Sequence, residues 1–489
     1  MPDMENPDSD RPLEDVEAVD ATPLLGDRSS RGFQSLFTRQ ISTASLLLYV
    51  CLFLVMELGS SLPANSLVQV VEEALCREMR EAPDCGADDD VQSSLAILMG
   101  WYHTAMILPG LLTVLPYGML ADRYGQKPFL VLSTFGIALT GFWPEKFSIH
   151  ALWATQLLYF IGGGLPVTNA IVFANITSLT TDVSRSSVFS FIIALSLGPR
   201  LIATIVASRL IELYGPWLPL WFSLGFLVAT CLLSFFIIEP KKKIKHLDDS
   251  VSDDANAYSS SEQPTAAAGS RQLKDKILRS FQEARAGASF LMQKSSSFTI
   301  RIIVCLIFMT LAWQCSGVSE QLMRRRFGWS WAKLSYVSAL QIIVGIISCM
   351  ILLPIASYIM SSKFTMSATA RDLSVARACG AVFIFGAIIT TLTPNGFGML
   401  IGVVLFNLGT VYNQVLKSLL VVVVGENSVV LFSGLNILET IGNLTSAPLV
   451  AQAFKFGLRL GGIWMALPVM FGGSFALIGL LVLGVKNSD

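Results

Sequence analysis

Apolar runs long enough to cross a bilayer recur along this chain, separated by short polar turns. A spanning helix needs about 20 mostly apolar residues. Twelve segments approach that length, at roughly 43–64, 93–117, 127–143, 151–176, 187–212, 217–238, 298–320, 333–357, 376–393, 397–423, 428–453 and 462–485. They fall into two sets of six, separated by a polar stretch at 240–297. The pattern predicts an all-α membrane protein with twelve transmembrane helices in two six-helix halves, 41–239 and 298–489.

The segments outside the spans read differently. Residues 1–40 carry Asp3, Glu5, Asp8, Asp10, Glu14, Asp15, Glu17 and Asp20 with little bulky apolar content, the composition of a disordered cytosolic tail. Within that tail, Asp20 to Leu25 matches the acidic dileucine pattern read by sorting adaptors. Leu24-Leu25 therefore sets the vacuolar membrane beside the cell membrane as an expected location. The linker opens with Lys241-Lys242-Lys243-Ile244-Lys245. It closes on Leu273, Ile277, Leu278, Phe281 and Ala284 at helical spacing, which fits a surface-lying helix or a plain cytosolic tether.

Composition agrees with a lipid-embedded chain. Of 489 residues, 53% are hydrophobic and 14% charged, against roughly a quarter charged in soluble domains, and the mean hydropathy is +0.61. A net charge of -1 offers no basic surface for nucleic acid. Basic residues in loops orient the chain. With both termini inside, Arg123, Lys127, Arg185, the lysines after 240, Lys363, Arg371, Arg377 and Lys486 are cytosolic, while Asp88, Asp89 and Asp90 are outside. Arg324, Arg325, Arg326 and Lys333 run against this distribution, and as outward charges they would attract anions. No basic segment followed by a short apolar one opens the chain, so a cleaved signal peptide is not expected.

Six of the eight cysteines lie in apolar segments and read as small hydrophobes. Cys76 and Cys85 share one polar loop on the outer side and are candidates for a disulfide. No phosphate-binding Gly-Lys-Ser/Thr loop and no metal-spaced His/Cys cluster occurs, so no enzyme activity, metal or cofactor is expected.

The most specific motif is the turn after the second span, Gly118-Met-Leu-Ala-Asp122-Arg123-Tyr-Gly125-Gln126-Lys127. It resembles the Gly-x-x-x-Asp-Arg-x-Gly-Arg-Lys/Arg loop of the major facilitator superfamily, departing at Gln126. That resemblance implies the major facilitator fold, parallel halves and a midplane substrate site. It also implies gating by Gly118, Asp122, Arg123, Gly125 and Lys127, with Asp122 meeting the positive end of a helix from the other half. Asp182 and Arg185 form a second charged turn that similar proteins pair with the first. Gly198-Pro199 partly resembles the fifth-helix motif of drug:proton antiporters. Phe327 to Trp331 and Leu438-Glu439 to Gly442 look like filamentous-fungal, efflux-type members.

Ionisable residues inside spans are costly and are functional candidates by default. At about 1.5 Å per residue, Glu57, Arg200 and Glu439 lie roughly 17–21 Å from the inner starts of their helices. His103 lies about 15 Å from the outer start of its own. A carboxylate that changes protonation at such a depth is what proton coupling requires. Glu57 and Arg200 are equally readable as a structural ion pair, His103 as a backbone partner, and Lys417 as a residue snorkelling to the inner interface. Asn436, Glu439 and Asn443 share a helical face, a polar stripe that favours a functional role for Glu439. Asn413, with Asn407, Tyr412, Gln414, Asn169, Asn175, Trp313 and Gln314, either lines the cavity or packs helices. Asn175 and Asn443 also begin glycosylation patterns but fall in spans, so use is not expected.

The resemblance implies a monomeric secondary transporter exporting a small organic substrate, a secondary metabolite or toxic compound, in exchange for protons. Proton-coupled nutrient uptake is the alternative, and a non-transporting receptor of the same fold a more distant one.

Overall fold

The computed structural model describes residues 43–80, 85–141, 151–178, 185–237, 297–363, 368–409, 411–424 and 428–484. The tail at 1–40, the dileucine pattern, Asp182 and nearly all of the linker lie outside them.

Helices occupy all twelve predicted positions, and no strand occurs among the described residues. The first set comprises α1 (Thr43–Ser61), α2 (Ala64–Arg80), α3 (Asp89–Tyr124), α4 (Gln126–Thr140), α5 (Ala151–Leu157), α6 (Gly164–Ser178), α7 (Arg185–Tyr214) and α8 (Trp217–Phe236). The second comprises α9 (Ser297–Ser316), α10 (Ser319–Phe327), α11 (Trp331–Ile347), α12 (Leu353–Lys363), α13 (Ala368–Leu392), α14 (Gly396–Leu408), α15 (Val411–Val424), α16 (Ser428–Leu460) and α17 (Leu467–Gly484). Three spans are composite: α5 with α6, α11 with α12 through a π turn at Ser348–Leu352, and α14 with α15. Among the described residues, nine helical stretches are long and apolar enough to cross a membrane. At the third, fifth and eleventh positions stand α4, α7 and α16, of 15, 30 and 33 residues.

Two helices that hydropathy alone does not announce, α2 and α10, extend the first and seventh spans beyond their apolar parts. Each carries charge: α2 has Glu72, Glu73, Arg77 and Arg80, and α10 has Glu320 and Arg324 to Arg326. Gly328, left-handed at φ 63°, ends α10, and the Ser330 hydroxyl accepts the Lys333 N–H to begin α11. The Asp88 side chain caps α3 by accepting from the N–H groups of Asp90 and Val91.

The hydrophobic core is divided unequally. One buried cluster, with Tyr49, Phe53, Leu130, Ile137 and Leu227, belongs wholly to the first set. The larger one fills the second set through Phe383, Tyr412 and Phe454, and crosses into Val71, Leu75, Val91, Leu95 and Met99. Those residues belong to α2 and to the start of α3, so the two sets share a core at the end bearing the cysteines. Farther along, α3 and α16 approach closely: a Cβ on Gly100 would stand 3.0 Å from the Ala447 carbonyl oxygen and the Ala451 methyl. One turn on, the Thr104 hydroxyl donates to the Leu444 carbonyl at 3.1 Å.

Candidate functional site

At the end bearing the cysteines, charged side chains join the two sets. Cys76 and Cys85 form a disulfide with Cα atoms 5.7 Å apart, tying the end of α2 to the turn before α3. One turn before Cys76, Glu72 is buried, its side chain 4% exposed. Its carboxylate accepts from Arg324 Nη2 at 2.7 Å, Arg324 Nε at 3.0 Å, Trp331 Nε1 at 3.0 Å and Gln92 Nε2 at 2.8 Å. A buried carboxylate is tolerated only when paired and hydrogen-bonded, and this one is supplied from both sets. Arg325 Nε donates to Asp89 at 2.6 Å, again across the sets. Asn65 donates to the hydroxyls of Ser335 and Ser338 at 3.0 and 2.9 Å, and the Ser338 hydroxyl donates in turn to Glu320.

This accounts for the basic cluster that ran against the loop-charge distribution. Arg324 and Arg325 are held by Glu72 and Asp89, Arg326 reaches the Thr391 carbonyl at 3.4 Å, and the Lys333 ammonium sits 3.8 Å above the Trp329 ring. Two of these cations join the two sets through ion pairs, so the cluster is engaged with protein groups. Sequence reasoning passed over Glu72 because its partners lie 252 and 259 residues away.

At the opposite end the motif forms a one-residue turn. Gly125, at φ 100°, separates α3 from α4, a conformation that favours glycine. Gly118 faces open space, with nothing within 4 Å of a Cβ placed on it, and Lys127 lies in the first turn of α4. Asp122, Arg123 and Arg185 lie in helical backbone, but their side chains, like that of Asn436, fall outside the described residues.

The mid-depth residues form two groups. In the first set, Arg200 is exposed, yet at about 100° per residue it lies opposite Ile202, Ile205, Val206 and Leu213, the exposed apolar face of α7. It shares instead the stripe of the buried Ala203 and Ala207, so its exposure is towards the interior of the helix bundle. His103 is likewise exposed and lies opposite Trp101, Leu108 and Leu112 on α3. Glu57 is half-buried and within electrostatic reach of Arg200, but the two do not meet at ion-pair distance. The ion-pair reading of Glu57 and Arg200 is thereby corrected to a through-space interaction.

The second set is arranged otherwise. Lys417 Nζ donates to Glu439 Oε2 at 2.9 Å, joining α15 to α16. Lys417 therefore does not snorkel to the interface; the carboxylate fixes it inside the span, 25% exposed beside a Glu439 that is 14% exposed. Glu439 Oε1 and Asn413 Oδ1 are buried without a hydrogen-bond partner among the described residues. Gln314 Nε2 donates to Asn443 Oδ1 at 3.1 Å, linking α9 to α16. Asn175 and Asn407 are buried, and each bonds back to the carbonyl four residues before it.

Between the sets lies a cavity of about 330 Å³, lined by Met106, Ile107, Gly110, Leu111 and Val114 of α3, by Tyr159, Leu165 and Pro166, and by Thr440 and Asn443 of α16. A second cavity, of about 380 Å³, lies beside Glu72 and Arg324 at the disulfide end.

The sequence profile of the Major Facilitator Superfamily matches residues 86–447. Among characterised proteins, the efflux pump ustT of Aspergillus flavus is 24% identical over 433 residues, covering 84% of this chain and 82% of that protein. The MFS efflux pump atnC of Emericella nidulans is 24% identical, covering 90% and 87%. Among solved structures, a D-xylose–proton symporter superposes with a TM-score of 0.58 at 12% identity, over 90% of this chain and 96% of that one. The human organic anion transporter MFSD10 gives 0.54 at 16%, over 91% and 100%.

Proposed function

Since the chain belongs to the major facilitator superfamily, we propose that it is a secondary active exporter moving a small organic molecule by alternating access, driven by protons entering in exchange. Export is supported by the efflux pumps among its relatives. Alternating access is supported by the ionic closure of one end. The Glu72–Arg324 contact is the gate at that end, and the Gly118–Lys127 turn, with Asp182 and Arg185, is the latch at the other.

Proton coupling is assigned first to Glu57. Among the described residues it is the mid-depth carboxylate without an ion pair, and Arg200 stands near enough to respond to its charge. Glu439 is a second candidate whose proton would compete with Lys417. The disulfide end faces an oxidising compartment, and we place the protein in the cell membrane as a monomer.

The observation that carries this reading is the buried four-donor Glu72 bridge between the sets. Its test is flux in inside-out vesicles with an acidified lumen, using fluorescent organic solutes as probes. Solute accumulation should depend on the pH gradient in the parent protein, and Glu57→Gln should remove that dependence while leaving downhill flux. Equal accumulation with and without the gradient in the parent would remove proton coupling. Absence of flux for every solute that binds would remove transport itself.

A further inference from the structure

The cavity between α3, α6 and α16 has a chemical character that narrows what it can hold. None of its lining side chains is charged; Met106, Ile107, Leu111, Val114 and Leu165 make its wall largely aliphatic. At about 330 Å³ it lies at the small end of ligand-binding cavities, which run from about 300 to 1,000 Å³. Its charged neighbours are engaged or set apart: Glu439 holds Lys417, and Glu57 and Arg200 belong to α1 and α7, which contribute nothing to the lining.

One polar group in the wall is directed. Asn443 Oδ1 is taken by Gln314 Nε2, and this bond fixes which face of the amide is spent. Asn443 Nδ2, a donor with two hydrogens, has no partner among the described residues. Because the wall comes from both sets, any occupant must be exposed or released when they part.

Resting on the export reading for its physiological direction but not for its chemistry, we propose that this cavity is the substrate site. It takes an uncharged, mostly apolar molecule bearing an oxygen acceptor, such as a ketone, ester or ether, received by Asn443 Nδ2. A carboxylate or ammonium here would lose its hydration without gaining a counter-charge. Protons and substrate then occupy different places, and their exchange is conformational rather than a competition for one carboxylate.

The test uses prodan, a neutral fluorescent aryl ketone, with its carboxylate analogue as the charged comparison. Saturable binding to the purified full chain in nanodiscs is measured above the background of empty discs. Prodan should bind and the carboxylate should not. Asn443→Leu should weaken prodan about tenfold, the effect of losing one hydrogen bond in an apolar site. Asn443→Asp at neutral pH should do the same, since it keeps the acceptor Gln314 needs and removes the donor. Val114→Trp should abolish binding by filling the cavity, while Glu57→Gln and Arg200→Gln should leave it within twofold. Tighter binding of the carboxylate, lost in Arg200→Gln, would overturn the proposal, as would prodan binding unmoved by Asn443→Asp and Val114→Trp. A variant that fails to fold is recognised by its elution and melting profile, and the remaining variants then decide. Binding as described without flux would leave the site standing and remove the export reading; flux insensitive to Asn443 and Val114 would do the reverse.

Discussion

The charged side chains at the disulfide end and those at mid-depth are satisfied to different degrees. Glu72 receives hydrogen bonds from four donor atoms on three side chains drawn from both sets. Among the described residues, Glu439 has one lysine and a bare second oxygen, Glu57 has no ion pair, and Arg200 is exposed. A carboxylate with donors on every side is held in one geometry. One with fewer donors is less constrained in position. The first region holds two bodies together, and the second is fit to respond.

Breaking the first region should give the largest effect. Arg324→Ala leaves Glu72 buried without its counter-charge, a loss of about 3–5 kcal/mol. Denaturant unfolding of the purified variant should report it, whereas Glu72→Leu with Arg324→Leu should recover most of the stability. A loss below about 1 kcal/mol for Arg324→Ala, the value of an exposed pair, would erase the contrast between the two regions.

A smaller effect is expected at mid-depth. Glu439→Gln strands the Lys417 ammonium, which keeps partial exposure, and the loss should be about 2 kcal/mol, less than the cost of a fully buried unpaired charge. Lys417→Met with Glu439→Leu should be near neutral for unfolding. If that double variant is stable and still couples flux to the pH gradient, Glu439 is structural and Glu57 carries the proton alone.

The smallest effect concerns the edge of the first region. Burial works against ionisation at Asp88, but hydrogen bonds from Arg80 and from the N–H groups of Asp90 and Val91, with the Arg80 charge, outweigh it and hold the carboxyl below its ordinary range. A depressed value means the cap is in full force above about pH 4, the unfolded aspartate range, and is lost as the pH falls through the lowered value. Hydrogen exchange at the amides of Asp90 and Val91, corrected for intrinsic rates, should therefore accelerate from pH 5 to pH 3. Unchanged protection would detach Asp88 from the network.

The spans were legible in the sequence because hydropathy is local: α8, predicted at 217–238, runs Trp217–Phe236, and α16, predicted at 428–453, begins at Ser428 and runs on to Leu460. The Glu72–Arg324 bridge was not, because a charge pattern shows a partner only when it is near in sequence. Arg324 looked anomalous while Glu72 lay 252 residues behind it. The Lys417–Glu439 pair was within reach, since the two residues stand seven before the end of α15 and eleven after the start of α16, at similar depths beside one turn. Arg200 and His103 were recognised by depth alone. Which way they face required the exposed stripes of α7 and α3.

The disulfide also bears on the order of assembly. Cys76 and Cys85 can join while the ribosome is still far upstream of Arg324, some 232 residues past Gln92. At roughly 5–20 residues per second, the first set waits about 12–46 s with Glu72 and Gln92 already held near one another and their second-set partners unsynthesised. During that interval the acceptor for Arg324 is finished early and unclaimed. The late-arriving α10 therefore docks onto a prepared seat, and correct pairing of the two sets becomes a step of biogenesis as well as of the transport cycle.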